Sequence, residues 1–374
     1  MLRYLTAGES HAKQLIAILD GIPAGIKIDA TQINIELARR QLGFGRGERM
    51  SIEKDEVIIL SGVRNGHTLG SPIALSIANK DSSIDRLAGI TRPRPGHADL
   101  AGALKYDHHD IRNVLERASA RNTATTVAIG TVAKILLKNF SISTHSLVTK
   151  IGTVEAKIDR SSYKKMISLA EKSPLRCPDK ASEKKMIKEI TSAKSKNDTI
   201  GGIFEVIALG VPAGLGTFCH WDKRLDARIA FGVMAIPAIK GIEFGLGFGY
   251  SDKYGTKVHD EIFFSKQKGF YRKTNNSGGF EGGISTGEPI ILRAIMKPIS
   301  TTRNPLHSVD IKTKKEVLAT FERSDICAVP AAGVVAEAVV ALEVASAFLE
   351  KFGGDSLKES ERNYKNYLQQ IAKF

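Results

Sequence analysis

The spacing of apolar residues changes several times along the chain, and each change predicts an element. Residues 2–6 alternate like a short strand, and a second strand at 26–29 leads into a helix over 31–41 with Ile33 and Leu37 on its inner face. Arg39 and Arg40 fall in the last turn of that helix and Gly43 lies just beyond it, the usual chemistry of a helix C-terminus. Residues 57–61 and 72–78 read as strands, with Asn65-Gly66 as a turn dipeptide between them. Ala124, Val127, Ala128, Thr131, Val132, Ile135 and Leu136 recur at helical spacing, which predicts a buried helix. Residues 141–156 read as extended. Between 157 and 197 lysines become frequent, and two amphipathic helices flank residues 174–178; this part reads as a solvated excursion. Then come a strand at 201–209, a helix at 224–236 stopped by Pro237, a strand at 290–296, and a long apolar helix at 330–352 with Pro330 in its first turn and Gly353 past its end. The pattern is that of a mixed α and β chain.

One echo runs through it. Glu116-Arg117-Ala118-Ser119 and Glu322-Arg323-Ser324 each precede an apolar helix rich in alanine and valine. Two halves of similar build would explain this, and different topologies in the two halves would dismiss it. Composition adds less. A chain of 374 residues can hold one large domain or two, and its 42% hydrophobic and 25% charged content is ordinary for a globular protein. The formal net charge of +14 is not ordinary, and draws polyanions, acidic membranes or multiply charged metabolites. Cys177, Cys219 and Cys327 are far apart with no CxxC, which argues against zinc and disulfides and fits a reducing compartment. The N-terminus carries no signal-type apolar core, and no later stretch reads as a charge-free membrane span, so a cytoplasmic protein is expected.

The chemistry concentrates in residues 92–125. Arg92, Arg94, Arg112, Arg117 and Arg121 lie there with His97, His108 and His109, just ahead of the predicted buried helix. Guanidinium forks match carboxylates and phosphates, and a helix N-terminus adds unpaired N–H groups. Prolines stiffen the segment RPRPGHAD around Arg94 and His97. The glycine runs at 43–47 and 245–249 do not complete GxGxxG, and no GxxxxGK[ST] occurs, so the common nucleotide motifs fail. Ser10-His11 has the residue types of a nucleophile and base, but adjacent residues rarely face each other and the orienting carboxylate has no visible candidate. Nucleic-acid binding fits the net charge poorly in detail. The arginines sit beside glycine and proline in separate loops, aromatic content is 6%, and no stripe of lysines interleaved with aromatics appears. Arginines converging from distant loops suit a compact, highly charged metabolite.

The segments GESHA (8–12), RRQLGFGRGERM (39–50), TRPRPGHAD (91–99), NVLERASARNTA (113–124), PAIKGIEFG (237–245), GGFEGGISTGEP (278–289), KPIST (297–301) and ERSDICAVPAAGVVAE (322–337) together resemble the chorismate synthase family, nearly end to end. The resemblance implies an α+β fold, a β-α-β sandwich with helices packed between antiparallel sheets, forming a single domain over 1–374 and a homotetramer. It implies a lyase of the shikimate pathway that removes phosphate from 5-enolpyruvylshikimate-3-phosphate by anti-1,4-elimination, using reduced FMN without net redox change. The expected partners are this substrate and copies of the chain, with neither nucleic acid nor membrane. By the same resemblance Arg40, Arg46, Arg49, Arg94, Arg121 and Arg323 surround the substrate. His11 protonates the departing phosphate and His97 keeps the reduced flavin suitably protonated. Asp325, relayed through Ser10, helps the flavin take the substrate proton. Flavin contacts are implied for Arg117, Ala118, Ser119, Pro237, Ala238, Gly282, Lys297, Pro298, Ile299, Ser300, Thr301 and Arg323. NADPH, if it is used, is implied at Arg40 and Arg46, and the compact length leans towards external reduction. Ala12, Asn122 and Pro237 depart from the family pattern, where glycine, glutamate and an amide residue are usual.

Overall fold

The computed structural model describes residues 2–47, 54–322 and 324–374. Two antiparallel sheets enclose a layer of helices. The first sheet contains β1 (Arg3–Ala7), β2 (Gln14–Asp20), β3 (Val57–Ile59) and β4 (Ile73–Ala78), in the spatial order β1-β2-β4-β3. The second contains β5 (Ser143–Ile151), β6 (Val154–Glu155), β7 (Gly202–Leu209), β8 (Ile239–Phe244) and β9 (Ile290–Met296), in the order β8-β9-β7-β5-β6.

Setting aside the short β6, the two sheets have the same plan. In each, the first strand pairs with the second, the second with the fourth, and the fourth with the third, all antiparallel. A helix joins second to third strand in both halves, α1 (Ala30–Gln41) and α7 (Leu225–Met234). A long helix follows the fourth strand in both, α4 (Thr123–Lys138) and α8 (Val329–Phe352). The echo in the sequence thus marks two halves of one topology. Helix α4 packs on the first sheet, α8 on the second, and the two pack on each other. A Cβ at Gly130 of α4 would lie 2.4 Å from the Cβ of Ala338 in α8, so only glycine permits this approach.

Three sequence readings need correction. Strand β2 was not expected because QLIAILD is apolar at nearly every position and hides its alternation. Leu15, Ala17 and Leu19 face the helices, while Ile16 and Ile18 lie on an outer face that also exposes Leu5 and Ile58. Residues 26–29 form no strand; buried Ile26 and Ile28 instead bond irregularly to the tip of a small hairpin, Val63–Arg64 with His67–Thr68. Asn65 and Gly66 turn that hairpin with positive φ at both residues, as a two-residue loop requires. Helix α8, finally, is long and apolar enough to cross a membrane by length and composition. It lies in the core instead, because the second sheet and helices α1, α4 and α7 surround it.

A buried ion cluster crosses α8. The Glu337 carboxylate, fully enclosed, accepts from Arg39 (2.8 and 3.0 Å), Lys134 (2.6 Å), Arg176 (3.0 Å) and the Ser146 hydroxyl (2.6 Å). Burial opposes its ionisation, but the charges of Lys134, Arg39 and Arg176 override this and hold it well below the usual carboxylate range. The lysine-rich segment contains α5 (Tyr163–Lys172) and α6 (Lys180–Ser195). Their apolar stripes are buried: Met166 and Ala170 cluster with Leu147 and Ile207, and Ile190 supports Gly45 from behind.

Candidate active site

The site forms where loops from both halves meet. β1 turns into β2 through GESHA, and the turn demands Gly8: its φ is +105°, and a Cβ there would lie 2.4 Å from the Gln14 carbonyl. Helix α3 (Arg112–Ala118) holds this loop. Ser10 N–H donates to the Glu116 carbonyl (3.0 Å), and both His11 N–H (3.0 Å) and His11 Nδ1 (2.8 Å) meet the Glu116 carboxylate. His11 Nε2 lies 3.8 Å from Asp81. Burial disfavours the charged Glu116 carboxylate, yet hydrogen bonds from His11 and Arg112 lower it below its ordinary range. Arg117 reaches the Gly8 and Thr6 carbonyls (2.9 and 2.8 Å) and the Asn122 side chain (2.7 Å), so the departure at Asn122 supplies a neutral acceptor.

His97 and Arg94 form a second arm. Arg94 donates to both oxygens of buried Asp99 (2.8 and 3.0 Å), and His97 Nδ1 lies 2.5 Å from the same carboxylate. Burial again opposes ionisation of Asp99, but these bonds from His97 and Arg94 hold its carboxyl far below the usual carboxylate range. Asp99 starts helix α2 (Asp99–Tyr106), the position where a negative charge also meets the helix dipole favourably.

Arg94 continues the network to the second half by donating to the Thr301 hydroxyl (2.8 Å), and Lys297 Nζ donates to the Gly96 carbonyl. Burial, and then the nearby Lys240 charge, push the Lys297 ammonium down. Pro237 and Ala238 adjoin this loop: Lys297 N–H donates to the Ala238 carbonyl (3.0 Å), and Ala238 takes positive φ at the irregular start of β8. Ser324 Oγ donates to the Thr301 carbonyl (2.8 Å), and Asp325 accepts from Gly47 N–H (2.6 Å) and pairs with Arg46 (2.8 Å).

A third arm carries Arg40 and Arg121. Both are buried, and one carboxylate, Asp55, serves both: Arg40 Nη1 at 3.2 Å and Arg121 Nη1 at 2.5 Å. Arg40 also donates to the Thr123 hydroxyl (2.9 Å) and the Ala120 carbonyl (3.1 Å). Arg121 donates to Asn79 (2.9 Å), whose amide holds the Ala12 carbonyl of the GESHA loop (2.7 Å). Burial lowers Arg40 to about 10, and the charges of Arg46 and Arg121 add to this against Asp55 and Asp325.

The structure therefore holds the expected residues in two hydrogen-bonded groups, His11 and Ser10 with Arg40 and Arg121, and Arg94 and His97 with the 297–301 loop, while Arg46 and Asp325 pair with each other within reach of the Arg40 charge. Ala118 ends α3, and Ser119 caps the short turn before α4, accepting from Arg121 N–H (3.3 Å). Gly282 does not join them. It turns the hairpin Phe280–Glu281 with Ile284–Ser285, ahead of β9, while residues 297–301 leave the other end of that strand. Seven extended residues put roughly 20 Å between the two. Arg49 and Arg323 lie outside the described residues. Sequence reasoning missed Asp55, Asp99 and Glu116, the carboxylates that orient the cations. Asp99, two residues after His97, and Glu116, at the head of the echoed segment, had a signal close by; Asp55 had none.

Comparison with known proteins agrees with this geometry. The family model described as chorismate synthase matches residues 2–349. A curated chorismate synthase of Geobacter sulfurreducens is 53% identical over 393 aligned positions, covering 100% of both chains. One of Geobacillus kaustophilus is 54% identical over 388 positions, covering 99% of this chain and 100% of its own. A solved structure titled Crystal Structure of Chorismate Synthase superposes with a TM-score of 0.84 at 44% identity, covering 100% of this chain and 99% of that one. With the fold, the converging arginines and the full-length likeness in agreement, the chain belongs to the chorismate synthase family.

Proposed function

We propose that the elimination takes place among these three arms. The family's reaction breaks the C–O bond to phosphate in 5-enolpyruvylshikimate-3-phosphate and removes a ring proton on the opposite face, giving chorismate and inorganic phosphate. Its substrate carries two carboxylates and a phosphate. The observation that carries the assignment is the convergence of Arg40, Arg94 and Arg121, all buried, with Arg46 and two histidines backed by carboxylates. Arg40, Arg46, Arg94 and Arg121 bind the three anionic groups, together with Arg49 and Arg323. His11 donates a proton to the departing phosphate, and Glu116 keeps its ring oriented. His97, held by Asp99, faces the cofactor, and Ser10 and Asp325 assist removal of the ring proton.

The residues present fit reduced FMN at its phosphate end. Lys297 offers an ammonium, residues 297–301 offer hydroxyls at Ser300 and Thr301, and Ala238 adjoins them. Arg117, Ala118 and Ser119 come from the first half, with Pro237, Pro298 and Ile299 lining the second. Bound there, reduced FMN supplies electron density to the eliminating ring and is left unchanged overall. Gly282 of the same chain is a poor candidate for this set because of its separation from the loop. NADPH at Arg40 and Arg46 is also disfavoured. Arg40 and Arg46 are assigned above to the anionic substrate, so external reduction of the flavin is the reading preferred.

A homotetramer in the cytoplasm completes the proposal. The apolar outer face of the first sheet, with Leu5, Ile16, Ile18 and Ile58 exposed, suits burial against another copy, and three unpaired cysteines suit a reducing compartment. The deciding experiment is an anaerobic assay of the purified chain with substrate and chemically reduced FMN. Chorismate should appear with reduced FMN and not with oxidised FMN plus NADPH. No chorismate under reducing conditions would overturn the proposal.

A further inference from the structure

Arg112 stands outside the expected substrate and flavin arginines, yet it touches both halves of the fold beside the site. Its Nη1 donates to Glu116 Oε1 (3.2 Å), its Nη2 to Glu322 Oε1 (3.3 Å) and its Nε to the Ala88 carbonyl (2.7 Å). Its own N–H is held by Asp110 (2.9 Å). Glu116 and Glu322 are the matching residues of the two echoed segments, each just ahead of the long helix of its half. One guanidinium therefore bridges equivalent carboxylates across the internal duplication.

The division of contacts on Glu116 is informative. Oε1 takes Arg112, and Oε2 takes both the ring Nδ1 and the N–H of His11. Among the described residues, the charged groups facing His11 include Glu116 from α3 and Asp81 from the loop after β4, with Arg112 behind Glu116. On the other side, Glu322 lies two residues before Ser324, which is bonded to Thr301, and three before Asp325, which is bonded to Gly47.

We propose that Arg112 is a positioning residue: through Glu116 it fixes the His11 ring with Nδ1–H on the carboxylate and Nε2 as the acting nitrogen, and through Glu322 it registers that arm against Ser324 and Asp325. The inference rests on His11 acting as the proton donor. A guanidinium fork suits the task because two bonds set an angle as well as a distance, which a lysine cannot do.

The test uses full-length Glu116→Gln and Arg112→Gln with substrate and reduced FMN under anaerobic conditions. Turnover falls roughly 10²-fold in each, as expected for a misplaced reacting group, with substrate KM little changed. The limb of the kcat/KM profile that reports the His11–Glu116 pair moves in opposite directions. Loss of the carboxylate shifts it about one unit or more to lower pH, and loss of the guanidinium shifts it to higher pH. Ring ¹⁵N spectra of labelled histidine show His11 losing its fixed Nδ1–H form in Glu116→Gln. Limbs that stay in place, or move together, overturn the inference. If Arg112→Gln does not fold, Arg112→Lys decides: a fall in turnover with the limb unmoved supports the fork, and wild-type turnover overturns it. His11→Ala separates the two levels. A wild-type rate there sinks the role of His11 itself, whereas a slow rate with unmoved limbs sinks only the part given to Arg112.

Discussion

Replacing Asp55 by asparagine should expose how much strain the arginine cage carries. The carboxylate is fully enclosed and bonds two guanidiniums that are themselves 3% and 5% exposed, Arg40 and Arg121. Asp55→Asn keeps the shape and removes the charge. Removing one partner of a buried ion pair costs roughly 3–5 kcal/mol, and a carboxylate serving two cations belongs at the top of that range. The amide oxygen still accepts one hydrogen bond, which returns about 1 kcal/mol. The net loss is about 4 kcal/mol. For a chain of this length, where each kcal/mol moves the midpoint by roughly 2 °C, the empty protein should melt about 8 °C lower.

An anion should reverse the loss. If Arg40 and Arg121 receive anionic groups, inorganic phosphate takes up part of the charge that Asp55 neutralised, and at a hundred times its Kd it contributes about 2.7 kcal/mol. Thermal melts of wild type and Asp55→Asn at one scan rate, with phosphate or with chloride at matched ionic strength, make the measurement. Phosphate should raise the variant more than the wild type. The pH window follows from Arg40, whose folded value lies at about 10, well below that of an ordinary guanidinium. A cation depressed in this way costs stability at every pH below about 10 and is relieved only as pH rises through it, so the gap between the proteins should stay flat from pH 6 to 8 as far as Arg40 is concerned. A variant melting within about 2 °C of wild type, or an equal phosphate gain in both proteins, would refute the reasoning.

Three further outcomes follow from other parts of the fold. Glu337→Gln leaves Arg39, Lys134 and Arg176 facing a neutral amide in the core and should cost roughly 3–5 kcal/mol in urea unfolding; an unchanged midpoint would show that the cluster is balanced without it. Because the Asp99 carboxyl is held far below its ordinary 3.8, its stabilisation is fully present above that value and lost only as pH falls towards the folded value. The difference between wild type and Asp99→Asn should therefore persist at pH 5, and its disappearance there would contradict the network. Gly130→Ala separates propensity from packing. Helix propensity alone predicts a gain of about 1 kcal/mol, whereas the contact with Ala338 predicts a net loss of ~1–3 kcal/mol, so stabilisation would refute the close approach.

How far the fold could be read in advance depended on whether each element buries one face. Helices α1 and α4 and strand β9 bury a clear face or run, and their spacing gave them away. Strand β2 did not, because its outward residues Ile16 and Ile18 are as apolar as the inward ones, and no periodicity survives when both faces avoid charge. The two amphipathic helices at 157–197 were legible as well, although the lysines alone say nothing of what the other faces bury. The lysines mark solvent-facing sides, while Met166, Met186 and Ile190 on the inner sides hold the segment against the second sheet and the Gly45 loop. The cations of the site were legible for a similar reason. Arginine beside glycine and proline is an unusual pattern, whereas a single carboxylate such as Asp55 looks like any surface residue until the chain brings it within reach.

The duplication explains why the cations needed those carboxylates at all. Each half ends its sheet with a polar segment that runs into a long buried helix, and the two helices pack on each other at Gly130 and Ala338. That packing draws the segments before them to the same side, one carrying Glu116 and Arg121, the other Glu322 and Asp325. Two basic segments are thus forced together by a core that has no stake in their charge. Without ligand, their mutual repulsion must be met by groups already present, and Asp55, Asp99 and Glu116 occupy the contacts where it would be greatest. A multiply anionic substrate then arrives at cations that are held in place but only partly neutralised, which is the condition for tight and oriented binding.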